Sequence, residues 1–122
     1  MIDYAFEALP LHSPDALLEL ERELEDPAAY HAFIQISIGM WDQRFYRLSR
    51  AAEDRDEPKL MDVILSIESS SKMLGLHQLA ALAGLLKRRL DTHDVDSAIG
   101  LLPALERCGR LSMRELRAAY PA

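Results

Sequence analysis

Between Tyr30 and Leu48, apolar side chains recur at spacings of three and four: Tyr30, Phe33, Ile34, Ile38, Trp41, Phe45 and Leu48. A helix turning by about 100° per residue gathers such positions onto one face, and that face must be covered by other elements to leave water. The spacing returns in Leu60, Ile64, Ile67, Ser71 and Leu74, and again in Leu79, Leu82, Leu86 and Leu90. No segment alternates apolar and polar residues as a half-buried strand does. A chain patterned in this way is confined to all-helical folds, in which each stripe is buried against the others.

Punctuation divides the pattern. Ser13-Pro14, Asp26-Pro27 and Asp56 with Pro58 each join a capping side chain to a proline in the first helical turn, where its missing N–H costs nothing. The spacing predicts a short first helix ending near Leu24, a long one from Pro27 to Asp54, and a third from Asp56 to about Gly75, where a left-handed cap is easy. A fourth is expected from His77 to Leu90 and a fifth after a cap at Thr92 or Asp94. Pro103 predicts a kink or break in the fifth, and Gly109 its end, with a last helical piece over Ser112 to Ala119. Short loops between the long helices predict an all-α, antiparallel up-down-up-down four-helix bundle with a short additional N-terminal helix. The chain's 122 residues suffice for one domain, 1–122, with one core.

Charge and composition exclude whole classes of function. Nucleic-acid binding needs a basic face to neutralise phosphates, so a net charge of −6 argues against it. No apolar run approaches the roughly 20 residues that cross a bilayer, and the opening MIDYAFEALP lacks the pattern of a signal peptide. Cys108, the one cysteine, cannot form an internal disulfide and fits a reducing, cytoplasmic setting. No nucleophile–base pair, glycine-rich phosphate loop or cofactor motif is present, so neither an enzyme nor a cofactor is expected. The cluster Asp91, His93, Asp94 and Asp96 reads as a helix start favoured by the macrodipole, not as a metal centre. The Glu-x-x-His repeats of bundle di-metal sites do not occur.

From Leu65 the chain reads LSIESSSKMLGLHQLAALAGLLKRRL. Ile67 stands in an aliphatic place, Ser69, Ser70 and Ser71 form a run of small residues, and Leu74 and Gly75 close the stretch. This order resembles the motif of histidine-containing phosphotransfer (HPt) domains. Upstream, SPDALLELERELEDPAAYHAFI is similar to the opening helices of that family, and downstream DTHDVDSA and LLPALERC are similar to its last helix. The resemblance spans about Ser13 to Arg110. It implies a module of a two-component phosphorelay whose partner is a response-regulator receiver domain or a histidine kinase.

Two positions depart from the family. Its phosphoacceptor histidine is replaced by Leu65, and its lysine three residues on by Glu68. Imidazole can accept a phosphoryl group because it offers a lone pair near neutral pH, whereas leucine has no nucleophilic atom. A carboxylate at Glu68 repels the group that a lysine attracts. The expected function is therefore docking without phosphate acceptance. Periodicity by itself sets Leu65 about 140° from the centre of the core stripe, facing outward. Met61, Leu65, Glu68, Ser69 and Lys72 form the expected partner-binding patch, an apolar centre with a polar rim.

Alternatives are few. A displaced acceptor, His31 or His77, would make the chain an active phosphotransfer protein. His12 and His93 read as surface or capping residues. A helical adaptor or homodimer outside phosphorelay signalling, built on Trp41 and Phe45 of the long helix, is the other alternative.

Overall fold

In the computed structural model, which describes residues 26–121 together with Asp15, Glu19, Arg22 and Glu23, helices begin where capping side chains precede them. The Asp26 carboxylate accepts the Ala28 N–H at 2.9 Å and opens α1 (Pro27–Glu53). The Asp56 carboxylate accepts the Lys59 N–H at 3.2 Å and opens α2 (Glu57–Met73). α3 (His77–Asp91) follows without a side-chain cap. Asp94, not Thr92, caps α4 (Val95–Gly100) by accepting the Ser97 N–H. α5 (Leu102–Ala119) completes the set, and the described residues contain no strand. The expected first helix lies outside the described residues except at Asp15, Glu19, Arg22 and Glu23, which are helical and exposed.

Three connections share one construction. After α1, the Arg55 N–H reaches the Ala52 carbonyl and the Asp56 N–H the Ala51 carbonyl. Gly75 and Leu76 repeat this on Lys72 and Ser71 after α2, and His93 and Asp94 on Leu90 and Arg89 after α3. This is the paired bonding of a Schellman cap, and it needs one residue in the left-handed region. Gly75 takes that conformation as the sequence predicts, with φ 69°, but Arg55 (φ 50°) and His93 (φ 58°) take it without glycine's freedom. Both side chains reach across to the opposite loop. Arg55 pairs with Asp96 at 2.9 Å and His93 Nδ1 stands 3.2 Å from Glu57 Oε1, so each left-handed residue meets the first turn of the helix that starts in the other connection.

The break expected near Pro103 falls at Leu101, between α4 and α5. Pro103 then sits in the first turn of α5, where no hydrogen bond is lost. Gly109 corrects the sequence reading, because α5 runs through it unbroken to Ala119. A Cβ placed on Gly109 would lie 1.8 Å from Cζ2 of Trp41. The glycine serves an aromatic ring of α1 and does not end a helix.

The core follows the stripes. Ile34, Leu48, Ile64, Ile67, Leu79, Leu82, Leu86 and Leu105 are almost fully buried. Side chains of this size contribute about 1.5–3 kcal/mol each when removed from water. α1 touches α2 and α5, while α3 touches α2, α4 and α5, so the four longer helices enclose one core. Tyr120, just past α5, closes one end. Its hydroxyl lies 3.0 Å from that of Tyr30, with the rings edge to face, and its carbonyl accepts from Gln35 Nε2.

Candidate functional site

α2 presents the segment that carries the family resemblance. Leu60, Ile64, Ile67 and Ser71 point into the core and are buried. Leu65 faces outward and is 39% exposed, as the helical angle requires. Ser69 and Lys72 are exposed on the same side, and Met61 is half-buried against the core. Met73 is also exposed. Residues four apart share a helix face, so Leu65, Ser69 and Met73 form one outward row over two turns. Met73 was legible from its spacing to Leu65 but lies outside the expected patch.

Glu68 departs from the expected rim. Its side chain is only 18% exposed and lies against α3. A Cβ built on Gly84 would stand 3.0 Å from Glu68 Oε2 and 3.7 Å from an Arg88 guanidinium nitrogen. Lys72 Nζ approaches the other carboxylate oxygen at 3.9 Å. The carboxylate thus lies over a residue with no side chain, with Lys72 as its cationic neighbour. Sequence spacing does not reveal this, because Gly84 belongs to another helix.

The face has no group that can take up phosphate at residue 65. His31 is exposed on α1, His77 is exposed in the first turn of α3, and His93 is exposed in its loop. His12 lies outside the described residues. Trp41 is 5% exposed, and Phe45 packs partly buried beside it with ring centroids 6.0 Å apart. Of the two rings named for a dimer interface, Trp41 thus belongs to the core, while Phe45 keeps part of its surface exposed. Among the described residues, no three metal-binding side chains stand together. Asp91 pairs with Lys87 at 2.9 Å, and Asp94 and Asp96 are used in capping and in the Arg55 bridge.

Beside this face, α1 carries Arg44, Arg47 and Arg50, three residues apart along its flank toward α2. Arg44 Nη1 donates to Ser70 Oγ at 3.0 Å, while its buried Nε has no partner. Burial, and secondarily the charge of Arg47, pulls the Arg44 guanidinium below its usual range. The Arg44 side chain borders a cavity of about 10 Å³ that also touches Ser37 and Ser71. That is space for about one water molecule. Farther along the flank, a groove of about 390 Å³ opens between Tyr46, Arg47 and Arg50 of α1 and Lys59, Asp62 and Val63 of α2.

Among the described residues, no helix is long and apolar enough to cross a membrane. Compared with family models, with curated proteins and with solved structures, the chain gives no match in any of the three.

Proposed function

We propose that the chain is an HPt-like signalling module that docks a response-regulator receiver domain or a histidine kinase without accepting phosphate. The observation that carries this reading is Leu65. It heads the pattern running through Ile67, Ser69–Ser71 and Gly75, and it faces outward at the place where the family displays its nucleophile. Leucine cannot be phosphorylated, yet an exposed leucine beside Met61, within a rim of Ser69 and Lys72, suits a partner contact. Glu68 adds negative charge beneath that face and so opposes a bound phosphoryl group.

The reading includes an antiparallel up-down-up-down four-helix bundle preceded by a short N-terminal helix. The tight connections after α1, α2 and α3 support it, as does the cyclic contact of α1 with α2, α2 with α3, α3 with α5 and α5 with α1. The module works in the cytoplasm, where its partners reside. The test is calorimetric titration of the chain against receiver domains and kinase transmitter domains of its own cell, with and without phosphorylation. Saturable binding that Leu65→Glu abolishes is the expected result. Absence of binding to all of them, or phosphate transfer to His31 or His77, removes the proposal.

A further inference from the structure

Among the described residues, the groove between α1 and α2 is lined on one side by cations without close counter-charges. No acidic side chain described pairs with Arg47 or Arg50, although Asp54 and Asp62 border the same space. Lys59 has only the distant Asp56 carboxylate, at 3.9 Å. Arg47, Arg50 and Lys59 outnumber Asp54 and Asp62 in the lining, an excess opposite in sign to the chain as a whole, which holds 20 acidic and 14 basic residues. Placing Arg44, Arg47 and Arg50 in one row sets like charges against each other, a local cost that a complementary anion relieves. Tyr46, 63% exposed, stands at the edge of the groove, and Val63 and Ala51 give it an apolar floor.

We propose that this groove binds an acidic peptide segment of a partner protein, one that carries an aromatic side chain. Arginine forks match carboxylates in bidentate geometry, and the Tyr46 ring with the apolar floor suits a second ring. The overall negative charge disfavours an extended polyanion such as nucleic acid or an anionic membrane, whereas a short acidic segment can seat its carboxylates on Arg47 and Arg50, which no carboxylate among the described residues pairs. The inference rests on the α1–α2 groove, whose lining does not include Leu65, and does not depend on docking at Leu65.

The test is an NMR titration of the isotope-labelled full chain with a capped peptide in which glutamates flank one tryptophan. Its control peptide has lysines in place of the glutamates. Saturating amide shifts at Tyr46, Arg47, Arg50 and Lys59 are expected with the acidic peptide only. They should weaken by about tenfold in affinity in R47E/R50E and fall away in about 0.5 M salt. If the double variant does not fold, Tyr46→Ala, at an exposed position, should weaken binding by roughly threefold. Leu65→Glu should leave the titration unchanged, which separates this inference from the docking proposal. No saturation by about 10 mM peptide overturns it. So do equal shifts at Arg110, Arg114 and Arg117 of α5, or equal shifts with the lysine peptide.

Discussion

The indole of Trp41 lies directly against the backbone of Gly109, so close that three of its ring atoms would fall within 2.4 Å of a Cβ at that position. Gly109→Ala is favoured by helix propensity by about 1 kcal/mol, but it must displace a buried ring held by the core. The repacking cost should dominate. We expect a net loss of about 2 kcal/mol or more in denaturant unfolding, with a shift in tryptophan fluorescence. Trp41→Leu removes the obstructing atoms, so the double variant Trp41→Leu with Gly109→Ala should be more stable than the sum of the single losses predicts.

Gly84 gives the opposite sign. Its added Cβ would meet only the ends of the flexible Glu68 and Arg88 side chains, at 3.0 and 3.7 Å. These can swing aside into solvent, and alanine removes the helix penalty of glycine. Gly84→Ala should therefore stabilise the fold by about 0.5 kcal/mol, raising the denaturation midpoint without changing the slope. A loss above about 1 kcal/mol would mean that the Glu68 carboxylate is held where it lies.

His93 adopts φ 58° in the connection after α3, a conformation costing a side chain of this kind about 1 kcal/mol. Its contact with Glu57 is exposed and contributes little. His93→Gly should raise stability by about 0.5–1 kcal/mol, read as a higher thermal midpoint. Arg55, in the equivalent place after α1, should gain less, because its glycine variant also gives up the 2.9 Å bridge to Asp96.

Leu65→Glu tests whether residue 65 belongs to a surface or to the core. Its outward position predicts a stability change within about 0.5 kcal/mol. The preceding residue, Ile64, is fully buried, and Ile64→Ala should cost about 2–5 kcal/mol. Parallel unfolding curves of the two variants give the comparison, and a large loss in Leu65→Glu would show that the residue supports the fold.

Cys108 is buried in α5, and desolvation raises its thiol above the ordinary value, opposed by the Ser112 hydroxyl. A raised folded-state value means that the unfolded chain releases this proton first as pH rises. Its contribution to stability is complete below the ordinary thiol value, about 8.5, and declines above it. Cys108→Ala should flatten the loss of stability as the pH rises above the ordinary thiol value. In the native protein, a thiol reagent at about pH 8 should react with Cys108 far more slowly than in denaturant.

Local chemistry settled much of this molecule in advance. The Asp26, Asp56 and Asp94 caps, the left-handed Gly75, the break beside Pro103 and the stripes of α1, α2 and α3 follow from interactions within a few residues, where sequence distance is spatial distance. The outward direction of Leu65 follows from the same arithmetic. Tertiary contact alone decided why Gly109 lies within a helix and where Glu68 rests. Each of these depends on which residue of another helix stands opposite, and helical periodicity specifies a face without naming its neighbour.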